Sequence, residues 1–486
     1  MRSRVVICFG MVLSVALLSS AQGQVASALV REGDPLPGDL LGTAITGIGN
    51  SATNATGGYA FTVTTDGSFS NVWGSRMGEA PTVLQAEQII GDLTITSLES
   101  FFGISDSGDV FYGTTTTSSS SGETGLDGVF LNDTVVLNEE DAIAGLPGQF
   151  STFNSRPGIA GNGTPYWVGG ISSTQGGTSE NRVLFSGVGA TPVIAGGDAI
   201  AGVSELLSFG SAIDFDVRFS ELASNYIMVG DVESSAANDA VVVSNGSAVS
   251  AAGSVLREST LIPAAIGGIG DAYDNFDFLG ITEAGGYMVT GDSDAASTSD
   301  EFVLIDGVIA MREGDSVGDG VLNGAIESAF LNEDGDWAAI WDYDVAGSNL
   351  EVLLVNGEPV LSEGDAVDFN GDGAIDAADN SAVVDDFNGI STLTISRRNA
   401  GGDVRAYFTA DVSVGGITLE AGFEMTVSLS DVIKGDVNGD GVVNLLDVSP
   451  FIDALTSSEF IPEADTNCDG EVNLLDVASF VDLLNG

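Results

Sequence analysis

Two stretches near the C-terminus carry oxygen-bearing side chains at a spacing that suits a hard cation. GDVNGDGVVNLLDVSPFIDAL begins at Gly435, and ADTNCDGEVNLLDVASFVDLL begins at Ala464. In the first, Asp436, Asn438, Asp440, Asn444 and Asp447 fall at positions 1, 3, 5, 9 and 12 of a twelve-residue loop, with Gly441 at position 6 and Val442 at position 7. In the second, Asp465, Asn467, Asp469, Asn473 and Asp476 fall at the same positions, with Gly470 at 6 and Glu471 at 7. Calcium takes about six to eight oxygens, and a loop of this kind supplies them from those side chains and from the carbonyl at position 7. Glycine at position 6 permits the sharp turn that folds the ligands around one point. Position 12 is Asp where an EF-hand generally has Glu, so the shorter side chain needs a closer approach. The competing reading is a metal-free turn rich in Asp, Asn and Gly; two full-length occurrences favour calcium.

A third copy, VDFNGDGAIDAADNSAVVDDF, begins at Val367. Asp368, Asn370, Asp372, Asp376 and Asp379 hold positions 1, 3, 5, 9 and 12, with Gly373 at 6 and Ala374 at 7. The functional reading is a calcium ion that orders a long loop, and the competing one is a solvated acidic loop. Residues 382–387 behind it are expected to form one helical turn.

The elements that follow the two C-terminal loops are short helices. Leu445, Val448, Phe451, Ile452 and Leu455 recur at steps of three and four, as do Leu474, Val477, Phe480, Val481 and Leu484. Such steps place them on one helical face. Neither helix can bury that face alone, so the two are expected to pack on each other about a pseudo-twofold axis. Two loop–helix units with Asp at position 12 and no helix before each loop resemble a type I dockerin over residues 433–486. The resemblance implies a calcium-binding domain that clips secreted proteins onto a cohesin-like partner, usually in polysaccharide-degrading systems. It also implies partner contacts at loop positions 10 and 11, here Leu445, Leu446, Leu474 and Leu475. These are identical in the two copies, which is compatible with docking in either of two orientations.

The N-terminus reads MRSRVVICFGMVLSVALLSSAQGQ. Arg2 and Arg4 precede an apolar run over residues 5–18 and small residues at Ala21 and Gly23, the pattern of a secretory signal peptide over residues 1–23. That run is short for a membrane span. Export is expected, to the periplasm, the cell surface or the medium. Of the two cysteines only Cys468 lies outside the signal segment, so an internal disulfide is not expected. Seventy acidic residues stand against thirteen basic ones, a net charge of −57. Such a surface repels nucleic acid and anionic membranes. There is no histidine, which removes the commonest general base and the Ser-His-Asp triad. Any catalysis would rest on carboxylates, tyrosine or serine.

The long middle, residues 24–430, is a repeat. One phrase, an apolar pair followed closely by Glu or Gly and then Asp, appears as LVREGD at Leu29, VLNEED at Val136, VIAGGD at Val193, AMREGD at Ala310 and VLSEGD at Val360. A second places a small polar residue shortly before glycine and an apolar run, as in NATGGYAFTV at Asn54, SDSGDVFYGT at Ser105 and NEDGDWAAIW at Asn332. A third, such as EFVLIDGVIA at Glu301 and EVLLVNGEPV at Glu351, puts Asp-Gly or Asn-Gly between apolar alternations, a hairpin signal. Each unit therefore holds about four short strands, and the fold class expected is mainly β: a seven-unit β-propeller followed by a small all-α calcium-binding domain. An open β-solenoid and two stacked β-sandwiches are the alternatives. The N-terminal ASALVREGD and the C-terminal AGFEMTVSL are two halves of one hairpin, so their pairing would close the ring and remove its open edges.

The recurring Asp34, Asp141, Asp198, Asp315 and Asp365 are read as turn formers before they are read as a cation-binding ring, because every unit needs the turn. No local motif selects a catalytic pair of carboxylates among seventy acids. The function expected is a secreted, dockerin-tethered binding or scaffold protein whose propeller presents a face to glycan or protein. The alternative is a dockerin-bearing glycoside hydrolase or lyase with an aromatic platform drawn from Trp73, Trp167, Trp337 and Trp341. A tail that is only a calcium-stabilised cap is the third reading.

Overall fold

The computed structural model describes residues 25–36, 43–65, 70–75, 82–84, 88–153, 157–173, 181–209, 216–232, 240–388, 392–399, 401–429, 435, 437–438, 443–455, 464, 466, 472–474 and 476–485. The signal segment lies outside them. Two compact units result: residues 1–398 with 404–427, and residues 399–403 with 428–486.

The first unit is mainly β. Among the described residues, seven antiparallel sheets of four or five strands follow one another along the chain. They lie within residues 45–84, 89–138, 149–195, 217–248, 279–312, 316–362 and 383–428, with one further two-stranded ribbon at 250–255. The strand Ala26–Arg31 is added to the last sheet, against Ile417–Ser428, with Ala26 opposite Met425 and Ala28 opposite Phe423. The two half-hairpins read from the sequence thus meet.

Middle strands such as Pro165–Ser172 are buried at every position. Each sheet packs on the next, so both faces of a middle strand are covered and the run is continuously apolar. Shared cores join the sheets: Tyr112 and Phe130 with Ala52, Trp167 and Phe185 with Phe111, Met228 and Val243 with Tyr166, and Trp341 and Val352 with Met288. The seventh packs on the first through Tyr407, Val30, Ile48 and Phe61, with Tyr59 stacked on Tyr407.

The three phrases of the repeat are three kinds of turn. Asn54, Ser105, Ala160, Ser220, Thr282, Asn332 and Asn399 each donate their amide across a tight turn, to the carbonyls of Gly58, Asp109, Thr164, Asn225, Gly286, Asp336 and Asp403. The small polar residue caps its own turn: Asn54, Ser105, Thr282 and Asn332 accept the returning amide on their side chains. Asn245-Gly246, Asp306-Gly307 and Asn356-Gly357 are two-residue hairpin turns with positive φ at both positions. The recurring aspartates close the third kind. Asp141, Asp198, Asp315 and Asp365 each accept, at 2.8–2.9 Å, the amide of the residue three before, and each donates its own amide to that residue's carbonyl. Asp34 keeps the backbone bond but turns its carboxylate to Arg31. As turn formers they follow the outer strands of five of the seven sheets.

The second unit holds helices α1 (Val448–Ala454) and α2 (Asp476–Asn485). Phe451, Ala454, Ala464 and Phe480 form its core, with Val437, Val448, Leu455, Val472 and Leu484 against them. Leu445, Ile452, Leu474, Val477 and Val481, read as part of the buried faces, are instead exposed. Leu445 and Leu474 lie in the loops before the helices begin, so they are off the helical period. Residues 382–387 are not a helical turn: Val383–Phe387 is a strand paired with Asp403–Val414. Its paired valines suit a pleated surface. Among the described residues no helix is long and apolar enough to cross a membrane.

Candidate calcium loops and the central cavity

The three twelve-residue loops share one hydrogen-bonded frame. In each, the position-12 carboxylate accepts the amide at position 9: Asp376 to Asp379 at 2.7 Å, Asn444 to Asp447 at 2.8 Å and Asn473 to Asp476 at 2.8 Å. In the first two the other oxygen accepts the position-3 amide, from Asn370 and from Asn438, both at 3.0 Å. The position-9 side chain accepts the position-11 amide, Ala378 to Asp376 and Leu446 to Asn444. Asp379, Asp447 and Asp476 are all buried.

The internal loop is described in full. Asp368 is fully buried and its carboxylate accepts the amides of Gly371, Asp372 and Gly373. Asp372 accepts from Ala374, and Asn370 from Asp372. Gly373 at position 6 has φ +92°, which only glycine adopts freely. Burial raises the Asp379 carboxyl, but the amides of Asp376, Asn370 and Phe369 outweigh it and hold the group below its ordinary value. The donor set is oxygen throughout and anionic at position 12, which fits a hard cation. Beyond position 12 the loops diverge. Asp447 and Asp476 lead into α1 and α2, whereas Asn380 and Ser381 take positive φ and turn the chain into a strand.

Of the C-terminal candidates, Asn438, Asn444, Asp447, Asn473 and Asp476 are placed as above. Asp436, Asp440, Val442, Asp465, Asn467, Asp469 and Glu471 lie outside the described residues, as does Leu475. Leu445, Leu446 and Leu474 are 80%, 68% and 80% exposed.

Strand residues from all seven sheets line one cavity of about 190 Å³. The lining also includes the turn residues Asp106, Glu221 and Glu333, and Arg397. Most of these carboxylates bind neighbouring turns. Asp106 accepts the Ala55 amide at 2.9 Å, and Glu333 accepts the amides of Glu283 and Glu221. Glu221 instead pairs with Arg397 at 3.0 Å, and Arg397 also holds Asp334 at 2.7 Å. Burial pushes the Glu221 carboxyl up, Arg397 pulls it down, and the acids Asp106 and Glu333 add to the rise, leaving it above its ordinary value. Trp167, Trp337 and Trp341 are core residues, so they build no exposed aromatic platform. The Trp73 side chain lies outside the described residues.

Sequence reasoning missed a second recurring device. Acids pair across neighbouring strands at an equivalent place in several sheets: Asp127 with Glu139, Glu301 with Glu313, Glu351 with Glu363, and Glu420 with Glu32. One member of each clasps the next sheet. Glu313 accepts the Gly324 amide at 2.7 Å, Glu351 that of Phe387 at 2.7 Å, Glu420 that of Ile48 at 2.6 Å, and Asp127 the Thr152 hydroxyl. The signal was present: Glu recurs in the REGD and SEGD phrases, and an acid opens EFVLI and EVLLV. Burial raises the carboxyls of Glu301, Glu313, Glu351, Glu363 and Glu420.

The second unit defines a class: a pair of twelve-residue acidic loops, each leading into a helix, the two helices joined through one core. Residues 434–485 match the family model described as the dockerin type I domain, a calcium-binding module that docks on cohesins. No curated protein matches the chain. Among solved structures, similarity is found to the subtype N11 neuraminidase-like protein of a flat-faced bat influenza virus, at 11% identity over 84% of this chain and 99% of that one, with a TM-score of 0.28. The hemagglutinin-neuraminidase ectodomain of parainfluenza virus 5 is 10% identical over 84% and 83%, with a TM-score of 0.30. Polysaccharide lyase Uly1 is 10% identical over 71% and 90%, with a TM-score of 0.24. Scores this low carry no argument about fold or activity.

Proposed function

We propose that this chain is a secreted binding or scaffold protein, led out by a signal peptide over residues 1–23 and tethered through a dockerin-like domain over residues 433–486 that docks on a cohesin-like protein when loaded with calcium. The observation that carries this reading is the exposure of Leu445, Leu446 and Leu474 at positions 10 and 11 of loops whose frames are otherwise internally bonded. Apolar side chains exposed beside the buried position-12 carboxylates favour a partner surface.

Two calcium ions sit in that domain. One is held by Asp436, Asn438, Asp440, Asn444, Asp447 and the Val442 carbonyl, the other by Asp465, Asn467, Asp469, Asn473, Asp476 and the Glu471 carbonyl. A third is held at Asp368, Asn370, Asp372, Asp376, Asp379 and the Ala374 carbonyl. The seven-sheet unit over residues 24–430 is read as a seven-bladed β-propeller that presents a ligand face to glycan or protein. Calorimetric titration of the full chain with calcium tests the metal reading. Three sites are expected, and fewer than two would overturn it.

A carboxylate-based glycoside hydrolase or lyase is the second reading. Glu221, raised above its ordinary value in the cavity lining beside Asp106, is the observation that favours it. Against it stands the engagement of Asp106 and Glu333 with backbone amides. Cleavage of a polysaccharide by the full chain, abolished in Glu221→Gln, would establish this reading in place of the first.

A further inference from the structure

We propose that calcium in the loop 368–379 locks the strand Ala26–Arg31 in place and so holds the first and last segments of the seven-sheet unit together. The inference rests on the calcium reading of that loop given above. Its own ground is the set of bonds between the loop and the strand, none of them made by a proposed ligand atom. The Asp368 amide donates to the Ala26 carbonyl at 2.9 Å, and the Ala28 amide donates to the Asp368 carbonyl at 2.9 Å. Arg31 donates to the Phe369 carbonyl at 3.0 Å, with its guanidinium carbon 5.5 Å from the centre of the Phe369 ring. A Cβ at Gly371 would stand 2.6 Å from the Ala28 carbonyl oxygen, so the loop backbone lies directly on the strand.

The strand is six residues long and pairs with Ile417–Ser428 on one side. On its other side the main chain of Asp368 supplies the hydrogen bonds. The strand is the outermost of its sheet, and peripheral elements are the ones that open locally at low free energy. The side chain of Asp368 occupies position 1 of the loop while its main chain is bonded to the strand. Metal binding at the carboxylate therefore fixes the backbone atoms that hold Ala26 and Ala28. A ligand that binds the closed state and not the open one suppresses opening by mass action.

Hydrogen exchange of the full chain, read over residues 26–31, tests this, with calcium titrated into the wild type and into Asp372→Ala. Asp372 is exposed at position 5 and makes no bond to the strand. In the wild type, calcium at about a hundred times its dissociation constant should slow exchange there by on the order of 100-fold. In Asp372→Ala the slowing should be lost and the calcium count should fall from three to two. Three ions in the wild type with exchange over 26–31 unchanged by calcium would overturn the lock while leaving the loop a calcium site. Two ions in both proteins would overturn the loop's calcium reading and the lock with it. Limited proteolysis near residue 31, with and without calcium, gives a second readout that needs no variant.

Discussion

Phe451 and Phe480 stack face to face, with ring centroids 3.9 Å apart and planes 7° from parallel. Each stands four residues beyond the last ligand position of its own loop, Asp447 and Asp476. The repeated sequence thus becomes a symmetrical contact: the same residue from each copy meets its counterpart in the centre of the small domain. The described core around them consists of Ala454, Ala464 and a few partly buried aliphatics. Phe480→Ala should therefore cost the C-terminal domain about 3–5 kcal/mol. Its helical circular dichroism should fall while the β signal of the seven-sheet unit stays unchanged.

So small a core makes the domain depend on metal. Chelation by EDTA should reduce the helical signal and calcium should restore it. Each site would stabilise the folded domain by about 2.7 kcal/mol at a hundred times its dissociation constant. Asp447→Asn and Asp476→Asn should each weaken calcium binding by calorimetry. Helical circular dichroism that does not respond to EDTA would contradict metal-coupled folding.

The exposed leucines predict how docking responds to mutation. Because the two loops carry the same pair, Leu445→Ala with Leu446→Ala should leave docking through the other copy and change affinity about twofold. Combining them with Leu474→Ala and Leu475→Ala should abolish docking. Thermal stability should change by less than about 0.5 kcal/mol, as for ordinary surface substitutions. Surface-immobilised cohesin and a melting curve read the two effects separately.

The buried carboxyls of these acid pairs set the pH dependence of the seven-sheet unit. Burial, then a hydrogen bond with the Asp292 side chain and the charges of Asp292, Asp277 and Asp300, pushes the Glu301 carboxyl from 4.5 to about 10. Between those values the folded state binds more protons than the unfolded state. Stability must then fall as pH rises through that window. The melting temperature should drop from about pH 5 to about pH 9. Glu301→Gln, which removes the titrating group, should flatten that slope and raise stability at the alkaline end. A melting temperature that climbs over the same range would contradict the assignment.

Much of this was legible in the sequence because the determinants are local. The Asn-Gly and Asp-Gly hairpins at Asn356 and Asp306 and the turn aspartates at Asp315 and Asp365 act within a few residues of themselves. The closing pairing of Ala26–Arg31 with Ile417–Ser428 is long-range, but it was readable as two halves of one repeated phrase. Of the acid clasps, the recurrence of the acids was legible and their contacts were not. Whether Glu351 reaches the Phe387 amide depends on how two sheets pack, which no spacing within one phrase reports. The third loop shows the same division. Its ligand frame follows from twelve contiguous residues, while the strand after it is set by pairing with Asp403–Val414. The exposure of Leu445 and Leu474 had to be seen in three dimensions, because one-dimensional spacing does not distinguish the last loop residues from the first helical turn.

The most direct test of the account is capture on the full chain from the proteins that the source organism exports, in calcium and then in EDTA. The account predicts that a cohesin-bearing protein is retained in calcium, released by EDTA, and not retained by the variant lacking all four leucines. Full calcium loading with no cohesin-bearing protein retained would contradict it and reduce the C-terminal domain to a calcium-stabilised cap.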